Sequence, residues 1–192
     1  MQYIQIFDYC LQKKFLIFLF KIARKFIKKI QIKNQILEVK TSGMNIYPLS
    51  LFLMKHSVCQ YKTLIDVIAY DLPSYEYRFV LIYNLLSIDY NSRILLCTKL
   101  IEAMPVVTTL VPRFPGASWL EREVFDLFGI FFLKHYDLRR ILTDYGFMGY
   151  PLRKDFPLSG FIEVAYDDSQ KHIIYKPVEL SQEFRNFNFK NT

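Results

Sequence analysis

The sequence predicts an α/β (α+β) fold: a mixed or antiparallel sheet of about four to five strands with two packing helices, an N-terminal basic amphipathic helix and a long extended C-terminal arm. Three observations predict it. Runs of β-branched and aromatic residues at 63–72, 77–88 and 93–100 are separated by Pro73-Ser74 and by Asp89-Tyr90-Asn91-Ser92, the pattern of an antiparallel meander. Apolar residues at helical spacing occur on either side of it, at 49–59 and at 120–128. Beyond Gly129 the periodicity dissolves around Gly146, Gly149, Pro151, Pro157 and Gly160, and no helix or hairpin is legible to the end. With 192 residues, 52% hydrophobic and 22% charged, the chain has the apolar material for a core and is too apolar to be disordered.

The elements divide into 1–34, 35–145 and 146–192. In the first, Leu11, Phe15, Leu19, Ile22, Phe26 and Ile30 recur at helical spacing, with lysines on the other faces. The apolar stretch Phe15 to Phe20 is far shorter than the ~20 residues of a membrane span. Lys21, Arg24, Lys25 and Lys28 stand where a secretory signal would be cleaved. Such a helix docks on a partner protein, targets a mitochondrion, lies on a membrane surface or covers its own domain; a Lys-rich, Ser-free segment containing Asp8 favours docking over targeting. The core then runs from a short strand at 36–41, ended by Ser42-Gly43, through a helix opened by Pro48, the meander, and a helix whose stripe is Leu120, Val124, Leu127 and Phe128, with Ser118 as its cap. The arm after 146 is too rich in aromatic residues to stay in water and is expected to lie along another protein.

Net charge is +7, yet positions 1–40 hold nine basic and two acidic residues, so the basicity belongs to the N-terminal segment and the body is neutral. That excludes the global positive field of a DNA-binding domain. Cys10, Cys59 and Cys97 lack CxxC spacing, which leaves no legible disulfide framework, zinc site or iron–sulfur ligand set, and Cys97 in its apolar run is expected to be a buried thiol. No glycine pattern cradles a nucleotide. The alternation of aromatic, basic and amide residues from Phe184 to Lys190 supports an alternative reading, a basic RNA-binding module.

Two charged clusters remain. Glu123 and Asp126 stand at i, i+3, a spacing open to shared metal binding or acid–base work, but Arg122 lies at i, i+4 from Asp126, where an ordinary ion pair is the expected use. In the second, Asp137 is expected to cap a helix with Arg139 and Arg140 in its first turn, while His135 has no Ser or Cys nucleophile in a recognisable motif.

The same residues carry a family resemblance. The string from Trp119 through Glu121-Arg122-Glu123, Asp126 and Gly129-Ile130, then His135, Asp137 and Arg139-Arg140 to Gly146-Phe147, resembles the signature of the thirty-kilodalton subunit of respiratory complex I, called NADH dehydrogenase subunit nine where mitochondria encode it. It continues through Pro151 to Gly160, Glu163 to Asp167 and Pro177 to Arg185, with Tyr136 standing where the family has Pro. The resemblance implies a non-catalytic structural subunit in the quinone module of the peripheral, matrix-facing arm of proton-pumping NADH:ubiquinone oxidoreductase, at the mitochondrial inner membrane. It implies no cofactor on this chain, within an assembly that uses FMN, iron–sulfur clusters, NADH and ubiquinone. Trp119, Glu121, Arg122, Glu123, Asp126, Gly129, His135, Asp137, Arg139 and Arg140 are then assembly residues. In the arm, Arg153, Lys154, Asp155, Glu163, Glu179 and Arg185 are the expected contacts to the large quinone-module subunit. The Phe-, Tyr-, Ile- and Lys-heavy composition suits an AT-rich organellar genome, from which no targeting peptide is expected.

Overall fold

A computed structural model describes residues 2–34, 36–185 and 187. The chain divides into two compact units, the first ending at Lys154 and the second beginning at Asp155. In the first, helix α1 (Gln2–Ala23) leads to strands β1 (Ile27–Lys33) and β2 (Ile36–Thr41), then helix α2 (Ile46–Lys55) and strands β3 (Thr63–Asp71), β4 (Phe79–Ser87) and β5 (Ser92–Leu100). A short strand β6 (Val106–Thr108), helix α3 (Ala117–Phe128) and a short strand β7 (Phe131–Leu133) follow.

The sheet has five strands in the order β1-β2-β5-β4-β3. The meander β3-β4-β5 is antiparallel as expected, but β2 runs parallel to β5, so the sheet is mixed. One face packs on the helices. Leu37, Val39, Leu81, Tyr83, Ile94 and Leu96 alternate inward and bury against Leu19 of α1, Leu49 and Leu53 of α2 and Val124 of α3.

Three sequence expectations need correction here. The N-terminal helix stops at Ala23 and does not continue to Ile30; Arg24 to Phe26 form a turn and β1 takes the edge of the sheet. Ile30 and Ile32 alternate with Lys29, Gln31 and Lys33, a period of two that suits the edge offered by β2, and pairing there outweighs helical propensity. What remains of the helix covers its own domain through Leu19 and Ala23, with Phe15 and Phe18 packed beside them, while Ile22, placed on the apolar stripe, faces outward with Ile17 and Phe20. Second, Ser118 does not cap α3. The N-cap is Gly116, because the Pro115-Gly116 turn starts the helix two residues earlier, and Ser118 sits in its first turn.

Third, the C-terminal region contains a hairpin that the sequence did not reveal. In the second unit β8 (Ile162–Asp167) pairs antiparallel with β9 (His172–Pro177) around a turn in which Asp167 accepts the backbone N–H of Ser169 at 2.8 Å. Register puts Val164 opposite Tyr175 and Tyr166 opposite Ile173 on one face, and all four are exposed. Phe156 meets Phe161 edge to face at 5.4 Å between ring centres. Asn186 and residues 188–192 lie outside the described residues, so the run from Phe184 to Lys190 is described only in part.

Candidate functional site

The signature residues converge on α3 and on the irregular segment 134–154 that follows β7. Leu120, Val124 and Phe128 turn one face of α3 to the core, and Gly129 ends it in the left-handed conformation at φ 76°, its N–H bonded to the Phe125 carbonyl at 2.9 Å. A Cβ at that glycine would come within 2.7 Å of the Tyr150 ring. Charged residues on another side of the helix are buried as well: Glu121, Arg122 and Asp126.

Asp126 holds the loop. One carboxylate oxygen accepts the backbone N–H groups of Ile141, Leu142 and Thr143 at 3.1, 2.7 and 2.9 Å, and the other accepts the Thr143 hydroxyl at 2.6 Å and Arg140 at 3.2 Å. Burial pushes its pKa up, but these donors outweigh burial and hold the carboxyl below its usual range. The expected Arg122–Asp126 pair is not formed. Arg122 donates instead to the carbonyls of Arg139 and Arg140 at 3.1 and 3.4 Å and lies over Trp119, because the returning loop offers backbone acceptors that spacing along one helix cannot reveal. Arg140 also donates to the Gly149 carbonyl at 3.0 Å and lies over the Tyr150 ring.

Asp137 caps no helix, since residues 135–142 form none. Their backbone N–H groups go to Asp126 and to the His135 ring, which replaces the intrahelical bonds that a cap would start. The Asp137 carboxylate takes Arg139 at 3.1 Å. Glu123 is exposed on α3, away from Asp126's partners.

The far end of the segment is fixed as firmly. Arg153 donates to the Phe128 carbonyl at 2.7 Å and lies between the Tyr150 and Phe79 rings, and the Leu152 N–H reaches the Leu127 carbonyl at 3.1 Å. The Lys154 N–H bonds to Asp71 at 2.8 Å, itself held by two bonds from Arg78 at 2.8 and 2.9 Å. Sequence reasoning missed the Asp71–Arg78 pair, whose partners stand seven positions apart across the turn between β3 and β4. Asp155, Glu163, Glu179 and Arg185 belong to the second unit, where Glu163 pairs with Lys176 at 2.9 Å and Arg185 lies over Phe187.

Glu121 does a different job. Its buried carboxylate accepts the Leu110 N–H at 2.8 Å, the Thr109 hydroxyl and the Tyr83 hydroxyl at 3.4 Å, tying α3 to the loop after β6 and to the sheet. Burial pushes its pKa up to about 7 despite those donors.

This arrangement is poor machinery for nucleophilic catalysis. Ser118 Oγ lies 3.5 Å from His135 Nε2, but His135 Nδ1 accepts the Asp137 N–H at 3.1 Å. A neutral imidazole then carries its proton on Nε2 and cannot take one from the serine. What the cluster does is fix a loop that holds apolar side chains out in water: Tyr136 is 76% exposed and Tyr145 100%, with Leu142 and Met148 exposed as well, and Trp119 on α3 is 65% exposed.

The comparisons agree with that string. Residues 39–162 match the family described as respiratory-chain NADH dehydrogenase, 30 Kd subunit, a span that includes the string from Trp119 to Phe147 and the run from Pro151 to Gly160. The chain belongs to this family. It is 49% identical over 179 residues to NADH-ubiquinone oxidoreductase subunit 9 of Reclinomonas americana, covering 92% of this chain and 86% of that one. It is 48% identical over 168 residues to NADH dehydrogenase [ubiquinone] iron-sulfur protein 3 of Beta trigyna, covering 88% and 87%. Among solved structures it resembles Nqo5, a trypsin-resistant fragment (1–134), at 26% identity and a TM-score of 0.51, over 60% of this chain and 92% of that one. Nothing in these likenesses supports the RNA-binding alternative.

An iron–sulfur cluster, which the name of the second relative suggests, does not fit the cysteines described. Cys59 lies in the core beside Tyr61, its thiol pushed up to about 11 by burial; Cys97 faces the other side of the sheet, pushed up to about 12 by burial and by Glu38. The Cys10 side chain lies outside the described residues. Among the described residues no group of three or more His, Cys, Asp or Glu is placed to hold a metal ion, and no helix is long and apolar enough to cross a membrane.

Proposed function

We propose that this chain is a non-catalytic structural subunit of proton-pumping NADH:ubiquinone oxidoreductase, placed in the quinone module on the matrix side of the mitochondrial inner membrane. It supports electron transfer from NADH to ubiquinone by holding other subunits; FMN, the iron–sulfur clusters and the quinone site belong to its neighbours. Family membership gives the assembly, and one observation carries the role. Buried ionic side chains are spent on fixing the segment 134–154, which holds Tyr136, Leu142, Tyr145 and Met148 out in solvent, and the second unit likewise exposes Val164, Tyr166, Ile173 and Tyr175. A two-stranded hairpin with one face exposed and the other only half-buried is marginal in water, so the second unit is read as a partner-bound element, its contacts including Glu179 and Arg185 and its chief partner the large quinone-module subunit.

The test is deletion of residues 155–192. The cut leaves Arg153 and Lys154 on the first unit, where they bond to Phe128 and Asp71; a cut after Asp144 would remove both. The shortened chain is expected to accumulate folded and to be missing from the assembled complex on native gels. A shortened chain that comigrates with active complex in normal amount would overturn the role given to the second unit.

A further inference from the structure

One face of the five-stranded sheet carries the helices, and among the described residues of the first unit no element covers the other. Register aligns a row across all five strands of that open face: Lys29, Lys40, Cys97, Ile82 and Ile68. The next row brings Lys99, Val80 and Tyr70 together. In these two rows charge and apolarity are separated, with lysines over β1, β2 and the end of β5, and Ile82, Val80, Ile68 and Tyr70 over β4 and β3; the row on the other side ends in Asn84 and Asp66.

At the boundary is a cavity of about 250 Å³, floored by the buried Val80 and Cys97 and rimmed by Lys28, Lys29, Lys40 and Lys99. Glu38 is the one carboxylate in its lining and is already engaged, by Gln31 at 2.7 Å and Lys40 at 3.7 Å. Among the described residues Lys28, Lys29 and Lys99 have no ion pair. Four cations against one anion in a concave site attract negative charge, on a chain whose body beyond residue 40 is balanced.

We propose that this face docks an acidic segment of a neighbouring subunit, its carboxylates over the lysine-rimmed cavity and its apolar side chains over Ile82 and Ile68. The proposal rests on the reading of the chain as an assembly subunit. A phosphate-bearing small molecule would answer the lysines and leave Ile68, now 48% exposed, in water. A second copy of the chain meeting the same face would set lysines against lysines. An acidic partner with an apolar side answers both halves of the surface.

Zero-length carbodiimide coupling of the intact complex, read by peptide mass spectrometry, tests this directly. Lys29, Lys40 or Lys99 is expected to couple to Asp or Glu of another subunit, and Lys29 and Lys99 to acetylate at least tenfold more slowly than the exposed Lys62 in the same sample. Reactivity equal to that of Lys62 would overturn the proposal. So would coupling to a second copy alone, or protection that free ATP or pyrophosphate reproduces once the complex has been dissociated. In cells, Lys29→Glu with Lys99→Glu should cut assembled complex at least fivefold, whereas Lys29→Arg with Lys99→Arg should retain it. Both lysines are exposed, so charge reversal leaves the core intact, and wild-type assembly of the Glu variant would refute the docking. A wild-type chain that never comigrates with the complex would instead defeat the functional reading.

Discussion

The first unit buries a stripe of large side chains from three helices and five strands, whereas the hairpin of the second buries none. Both are built from the same residue types, β-branched and aromatic. The difference lies in what each apolar face meets: β4 has Leu81 and Tyr83 under the helices, while β8 presents Val164 and Tyr166 to solvent. Stability in the first unit is thus a property of the chain, whereas under the proposed function the second gains it from a partner.

Substitutions sharpen that contrast. The largest effect is expected from Asp126→Ala. It strands three backbone N–H groups and Arg140, and losing one partner of a buried ionic network costs about 3–5 kcal/mol. Chemical unfolding of the first unit should show that loss, and the amount of assembled complex should fall with it. An unchanged unfolding midpoint would mean that the segment after β7 is held by something other than this carboxylate.

Glu121→Gln comes next and depends on pH. The folded state keeps the Glu121 proton up to about 7, whereas an unfolded glutamate releases it near 4.5. Between those values the folded state binds more protons, so stability falls as pH rises through the window and levels off above it. Gln keeps an oxygen for the Leu110 N–H and the Tyr83 hydroxyl, donates to the Thr109 hydroxyl oxygen as a protonated carboxyl would, and abolishes the titration. It should leave stability near pH 5 almost unchanged and raise it at pH 8 by roughly 3 kcal/mol, from a shift of that size at about 1.4 kcal/mol per unit. Parallel pH profiles for the two proteins would disprove the dominance of burial over hydrogen bonding at Glu121.

Gly129→Ala should cost about 1–3 kcal/mol, from the positive φ and the collision with Tyr150. A thermal melt that matches wild type would show that the 134–154 segment yields there. The smallest effect on the first unit belongs to the hairpin. Val164→Ser with Tyr175→Ser should leave its unfolding midpoint within error while lowering complex assembly, and a shift in that midpoint would show that the units stabilise each other.

The meander and α3 were legible because their signals are local: period two with turn residues between runs, and an apolar stripe at helical spacing. β1 was misread because Phe26 and Ile30 extend the spacing of the preceding helix, although the alternation of Ile30 and Ile32 with lysines was there to find. The hairpin signal was also present, in Ile162, Val164 and Tyr166 before Asp167-Asp168, but surrounding Gly and Pro masked it. The partners of Asp126 were not legible at all. They depend on residues fourteen to seventeen positions away in a loop with no regular structure, and only the motif showed that the helix mattered.

The parallel pairing of β2 with β5 also sets an order of events. Leu37 must wait for Ile94, with α2, β3 and β4 made in between. The β3-β4-β5 meander closes through short turns and forms early, while the β1-β2 ribbon, though first in the chain, closes a long loop and docks late. A growing chain therefore carries an unpaired β2 edge until β5 has been made. Lys28, Lys29, Lys33 and Lys40 on that ribbon are the kind of charge that discourages edge-to-edge aggregation, so the basic start of this protein also guards the chain while it waits to fold.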